Sequence, residues 1–290
     1  MFLAEMTAAE IPSWLQRALA RPGVSRYADN GGVALHYLEW NDAASGLPGL
    51  LFVPGYRAHA RWWDFIAPMF ADRFHVVVME LSGMGDSGRR AEYRPGDFAG
   101  DIVAVTRHSG LRAPIGIGHS YGGSRLLYAC SGQPAMFARA IVVDSYVHFA
   151  DMGPIEDYPS IGSRRVHLTL DAALARFRLS PEQPAHPALL RYLAEGSLRE
   201  VEGGWTWKFD IELPGGGPTE ADGAAVLRRI PIPVHLVWGE HSLVVDEQCM
   251  RRVAATLPLR HEPIMVPDAH HHLMLDQPVA TIGILQALLA

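Results

Sequence analysis

Apolar residues fall in short unbroken runs, separated by stretches whose apolar positions recur at helical spacing. Val33–Trp40 and Leu50–Val53 read as strands, the second ending at Pro54-Gly55. Trp62–Ala71 carries helical spacing. His75–Glu80 is a β-branched run followed by the turn Ser82-Gly83-Met84-Gly85. Asp97–Ser109 returns to helical spacing, with Asp97 and Asp101 near its start, where carboxylates suit the helix dipole. Ile115–Gly118 reads as a strand, Ser124–Cys130 as a helix and Ala140–Val143 as a buried strand. Runs without polar alternation suit strands covered on both faces. Their alternation with helices predicts an α/β fold, a doubly wound and mostly parallel sheet.

The rhythm breaks after Asp144. From Tyr146 to about Arg229 there is no buried-strand pattern. Helix-like pieces (Asp171–Phe177, Pro187–Ala194), the prolines 181, 184 and 187, and the turn Gly215-Gly216-Gly217-Pro218 take its place. This stretch predicts a helical cap, or lid, at 146–229, inserted into a core made of 1–145 and 230–290. The strand pattern resumes at Val234–Trp238 and His261–Val266. A last helix, Val279–Leu289, follows Pro278, where a first-turn proline is tolerated.

Composition narrows the function. Among 290 residues, 49% are hydrophobic and 19% charged, which excludes global disorder. A net charge of -6, with no basic run longer than two, argues against a nucleic-acid partner. Two cysteines, Cys130 and Cys249, offer neither a disulfide framework nor a metal-binding spacing. The N-terminal residues lack a basic signal-peptide region, and the apolar stretch Val279–Ala290 is too short to span a bilayer. A cytoplasmic protein with no membrane partner is the expectation, as monomer or homodimer.

The chemistry centres on Gly118-His119-Ser120-Tyr121-Gly122, between a predicted strand and a predicted helix. This is the context in which G-x-S-x-G forms a nucleophile elbow. The turn is tight enough to strain the serine backbone and to exclude side chains at its flanks. It lifts Ser120 to a helix N-terminus, with the Tyr121 N–H aimed at a reacting carbonyl. A serine needs a base, and His271 is the candidate, on a loop after the last strand. Its neighbours His270 and His272 would point elsewhere, one of them as a packed structural histidine. Consecutive histidines diverge rather than converge on an ion, so no metal is expected. No cofactor is expected either.

These motifs resemble the α/β-hydrolase superfamily, in its lid-containing esterase, lactonase and C–C hydrolase branch, from about Val33 to the C-terminus. The resemblance implies Ser120 as nucleophile and His271 as base, the latter supported by Pro278 seven residues on. Leu51–Tyr56 resembles the segment ending His-Gly-x, which makes the Tyr56 N–H after Gly55 the second oxyanion donor. Pro54 replaces the usual histidine. Glu80–Gly88 resembles the Asp-x-x-Gly-x-Gly-x-Ser signature, with Glu80 as the acid and a mainly structural role. Trp238–Val245 resembles the segment bearing the triad aspartate, but Ser242 stands at its place. The resemblance leaves Asp144, which ends the strand after the nucleophile helix, as the expected acid, with Glu240 and Asp246 as alternatives.

Tyr146, His148, Phe149 and Met152 leave the sheet beside Asp144 and are pocket candidates. Trp205 belongs to the aromatic cluster Trp205, Trp207 and Phe209. Arg57, after the oxyanion loop, would meet either a substrate carboxylate or a surface or lid acid. The expected function is a serine hydrolase cleaving a small hydrophobic ester or lactone. The alternatives are a C–C bond hydrolase of a diketone-like substrate on the same triad, or a ligand-binding receptor with vestigial hydrolysis. Dehalogenase and epoxide hydrolase chemistry is disfavoured, because those relatives use an aspartate where Ser120 stands.

Overall fold

A computed structural model describes residues 12–94, 96–153, 165–215 and 222–290. In chain order the elements are α1 (Ser13–Leu19), β1 (Val24–Asn30), β2 (Val33–Trp40), β3 (Gly49–Val53), β4 (His75–Met79), α2 (Asp97–His108), β5 (Ile115–His119), α3 (Tyr121–Gly132) and β6 (Arg139–Val143). There follow α4 (Leu170–Leu174), α5 (Pro187–Gly196), β7 (Leu198–Val201), β8 (Gly204–Trp207), α6 (Gly223–Leu227), β9 (Val234–Gly239), α7 (Glu247–Thr256), β10 (Ile264–Val266), α8 (Leu273–Asp276) and α9 (Pro278–Leu288).

Eight strands form one sheet in the order β1-β2-β4-β3-β5-β6-β9-β10. β1 and β2 pair antiparallel, β2 meets β4 antiparallel, and the remaining pairs are parallel. The unbroken apolar runs are explained by burial on both faces. Leu51, Val53, Val77, Met79, Ala140 and Val142 join one core cluster with Phe98 and Ile102 of α2 and Leu126 of α3. The residues between them, such as Leu50, Phe52, Val76, Val78, Ile141 and Val143, join a second cluster with Leu15, Trp63, Phe65 and Leu285. Alternate side chains point to opposite faces of a strand, so each run feeds two cores.

The expected doubly wound α/β sheet is therefore observed. Three local expectations change. Trp62–Ala71 is not a continuous helix but two 3-10 turns, Ala60–Trp62 and Ala67–Met69. Pro68 lies inside it, lacks an N–H and crowds the carbonyl four residues back. Asp101 is not a dipole partner. It is fully buried and pairs with Arg90 at 2.5 Å, while accepting from Asn30 and Ser82 N–H. The excursion between β6 and β9 contains the antiparallel hairpin β7–β8 besides its helices. The hairpin is half exposed, so it leaves no buried-run signature. β1 escaped notice for the same reason, since only Ala28 of its seven residues is buried. The turn Gly215–Pro218 lies partly outside the described residues. No helix among the described residues is long and apolar enough to cross a membrane.

Candidate active site

In the strand order, β3 sits between β4 and β5. The chain therefore leaves β3 towards one side of the sheet and crosses to the other side for β5. Such a switch point opens a crevice at the carboxyl ends of the strands, where ligands bind in open α/β sheets. Gly55 follows β3 at this point, and Ser120 follows β5. Asp144 follows β6, next to β5, and His271 follows β10.

Ser120 adopts φ 52° and ψ −127°, a region that strains any residue with a Cβ. Close packing holds it there. Ser120 N–H donates to Val143 O at 2.9 Å. A Cβ on Gly122 would lie 2.2 Å from Pro54 O and 2.4 Å from Val53 O, and one on Gly118 would lie 2.5 Å from the Cα of Gly123. The glycines thus answer to backbone approach, as expected of an elbow. Gly55 is also required by closeness, since a Cβ there would stand 3.3 Å from the Ser120 Cβ. This brings the Gly55–Tyr56 backbone against the Ser120 turn. The Tyr56 ring meets the Tyr121 ring edge-on at 5.5 Å, and the Tyr56 hydroxyl donates to Pro214 O at 2.5 Å.

Ser120, His271 and Asp144 come together. Ser120 Oγ lies 3.0 Å from His271 Nε2, and His271 Nδ1 lies 2.7 Å from Asp144 Oδ1. The carboxylate is fully buried. Its Oδ2 accepts from Gly239 N–H at 2.9 Å, and its Oδ1 also accepts from Ser242 Oγ at 2.7 Å. Asp144 holds φ 47°, a left-handed conformation that aspartate tolerates better than most residues. Glu240 and Asp246 are elsewhere. Glu240 is exposed and accepts from Asp268 N–H, and Asp246 caps α7 by accepting from Cys249 N–H.

Against the expected divergence, His271 and His272 stay side by side with ring centres 4.6 Å apart, and with His119 their ring nitrogens gather within 4.8 Å, while His270 turns away. His270 Nδ1 lies 2.8 Å from Asp276. His272 is buried against Trp62 and His119. His119, the variable residue of the elbow motif, donates from Nε2 to the His271 carbonyl at 3.0 Å. Burial, and then the nearby His271, push the His119 imidazole well below its ordinary pKa. Burial likewise lowers His272, followed by His271 and His119. Both rings are therefore neutral packing partners of the His271 loop. Gln183 clasps that loop from the excursion: its Oε1 accepts from His272 N–H at 2.7 Å and its Nε2 donates to His272 O at 3.3 Å. Gln183 carries no motif in the sequence, and His119 and Gly239 lie inside motifs at positions to which the sequence gives no such role. Ser242 was legible only as an absence.

The pocket candidates separate. Tyr146 and His148 line a small cavity with Arg125 and Leu227, and Ser120 is not among its walls. Phe149 is buried in the core with the Arg252 guanidinium 3.9 Å over its ring. Met152 is exposed, with its sulfur accepting from Phe149 N–H. Trp205 sits on β8, and its backbone bridges to His167. Arg57 lies beside the Gly55 turn, stacked on Tyr56 and Phe209. Glu80 ties two loops to β2, accepting from Ala60 N–H at 2.8 Å and Asp86 N–H at 2.5 Å and contacting His36 Nδ1 at 3.0 Å.

A mostly parallel sheet with a strained serine turn at its switch point defines an α/β-hydrolase. The chain belongs to the alpha/beta hydrolase family, whose model matches residues 50–283. It is similar to a bifunctional esterase/perhydrolase of Acinetobacter calcoaceticus, 23% identical over 259 residues, covering 83% of this chain and 90% of that protein. It is similar to a carboxylesterase of Bacillus subtilis, 24% identical over 242 residues, covering 79% of this chain and 75% of that protein. Among solved structures, E-2-(acetamidomethylene)succinate hydrolase shares the fold with a TM-score of 0.74 at 20% identity, covering 91% of this chain and 98% of that one.

Proposed function

We propose that the protein is a serine hydrolase acting on a carboxylic ester, with a lactone as the cyclic case, through an acyl-enzyme. The observation that carries the reading is the continuous hydrogen-bonded chain from Ser120 Oγ through His271 to Asp144. His271 Nε2 takes the hydroxyl proton as Ser120 Oγ bonds to the carbonyl carbon. The backbone N–H groups of Tyr56 and Tyr121 receive the oxyanion, each donor contributing about 2.7–4 kcal/mol when well placed. The ester C–O bond then breaks, and the alcohol leaves with the proton from His271. Water, deprotonated by the same imidazole, cleaves the acyl-enzyme and releases the acid. Asp144 holds the tautomer and stabilises the transient imidazolium.

We assign the excursion 146–229 as the lid over this site. Two contacts support the assignment. Tyr56 donates to Pro214 O, and Gln183 holds the main chain of His272. Each ties the excursion to a loop that bears the chemistry.

Fluorophosphonate labelling with p-nitrophenyl ester turnover tests the reading. Labelling is lost in Ser120→Ala, and turnover falls by about four orders of magnitude in Asp144→Asn. A folded wild type that neither labels nor turns over any short or aromatic ester would sink it and favour a ligand-binding role.

A further inference from the structure

We infer that Arg57 is an anion subsite and that the ester substrate carries a free carboxylate. The inference rests on the hydrolase reading and deepens it. Arg57 lies two residues beyond Gly55, the glycine packed against Ser120. The chain holds it at φ 56°, a conformation unfavourable for an arginine, so its position is imposed by the turn. Its guanidinium lies over two rings, 4.6 Å from the Tyr56 ring centre and 4.9 Å from that of Phe209. Both rings are anchored. Tyr56 bonds through its hydroxyl to Pro214 O, and Phe209 stacks on Trp207 at 6.4 Å.

The two rings contact the guanidinium and leave part of its hydrogen-bonding edge. That edge is served only in part, by the Tyr56 hydroxyl. Nε is buried without a hydrogen-bond partner, and no carboxylate among the described residues forms an ion pair with Arg57. The acid next in sequence to Phe209, Asp210, is engaged by Tyr93 at 2.9 Å and Arg89 at 3.9 Å. The lid or surface ion pair, which was one expectation for Arg57, is thus not formed among the described residues. A planar, fixed cation whose buried Nε has no partner, two residues beyond the glycine packed against Ser120, suits a carboxylate. The nearby cations do not reinforce it towards a dianion. Lys208 is paired with Asp86 at 2.6 Å, and Arg61 stacks on Tyr192. One planar cation suits one planar monoanion.

The test uses two matched substrate pairs on the full chain. Mono(p-nitrophenyl) glutarate is compared with its methyl ester, and para-acetoxybenzoate with its methyl ester. These place the carboxylate on the acyl side and on the leaving-group side. The wild type prefers the anionic member of one pair by about tenfold or more in kcat/KM, chiefly through KM. In Arg57→Gln that ratio collapses towards one, and Arg57→Lys restores part of it. Fluorophosphonate labelling of Arg57→Gln reports an intact elbow. If that variant does not fold, the wild-type ratios still decide. Neutral esters hydrolysed as well as anionic ones in both pairs, or a preference that survives in Arg57→Gln, would overturn the subsite and leave the hydrolase standing. A wild type that neither labels nor hydrolyses would overturn the hydrolase. Calorimetry with glutarate then reads the subsite separately, and equal binding by wild type and Arg57→Gln, or none by either, overturns it.

Discussion

The Ser242 hydroxyl donates a 2.7 Å hydrogen bond to Asp144 Oδ1, the same oxygen that meets His271 Nδ1. Ser242 occupies the position where the resemblance places the triad acid. By that resemblance, carboxylate and hydroxyl stand in each other's places across one short contact. The serine is thus a donor that fixes the displaced carboxylate rather than a vacancy.

A hydrogen bond to a charged group contributes about 1.5–3 kcal/mol. Ser242→Ala therefore lowers kcat/KM for ester hydrolysis by about tenfold. The exchange also predicts a rescue. Asp144→Ser alone is nearly inactive, and Asp144→Ser with Ser242→Asp recovers part of the lost turnover. A double variant no better than the single one would show that only the backbone of residue 144 can aim a carboxylate at His271.

The other acids of this region divide by role. Asp246→Ala removes the cap of α7 and costs about 1 kcal/mol of stability, read as a lower urea midpoint, with turnover kept. Glu240→Gln leaves turnover close to wild type, because among the described residues the Glu240 carboxylate bonds only to the Asp268 N–H. A steep loss of turnover in either variant would contradict the placement of Asp144 as the acid.

Glycines of α3 respond oppositely to alanine. Gly122→Ala drives a Cβ into the backbone oxygens of Val53 and Pro54, so the oxyanion loop or the elbow must shift. Loss of about 3 kcal/mol or more is expected, with loss of labelling. Gly132, at the end of the same helix, faces open space. Gly132→Ala raises stability by about 0.5–1 kcal/mol. Thermal melts of both variants check the contrast.

Asp64 sets a dependence of stability on pH. Burial pushes its carboxyl from 3.8 up to about 7, opposed by the Tyr192 hydroxyl at 2.5 Å and by Arg61. The folded protein therefore keeps a proton that the unfolded chain releases near its ordinary pKa. The contribution of Asp64 to stability is full below pH 3.8 and declines as pH rises towards about 7. Asp64→Asn mimics the protonated form at every pH. Its stability relative to wild type grows between about pH 4 and 7, by at most about 4 kcal/mol at ~1.36 kcal/mol per unit. Equal differences in urea midpoint at acidic and alkaline pH would refute this.

The sequence by itself determined the sheet and the strained serine turn. Unbroken apolar runs report burial on both faces, which only a helix-covered sheet supplies. Gly118, Gly122 and Ser120 report a turn whose steric demand is local. Such signals depend on neighbours within a few residues, so they survive in one dimension. Where burial is partial the signal fades, as in β1 and the β7–β8 hairpin, and a proline can cancel helical spacing, as Pro68 does. The partners of Asp144 are of another kind. Ser242 and Gly239 lie about a hundred residues away, and His271 lies further still. Only the parallel pairing of β6, β9 and β10 lines up their carboxyl ends. The unpartnered Nε of Arg57, beside Tyr56 and Phe209 of the excursion, was likewise decided by tertiary structure. Whether a cation finds an acid depends on which distant side chains reach it, and a sequence lists the acids without saying where they turn.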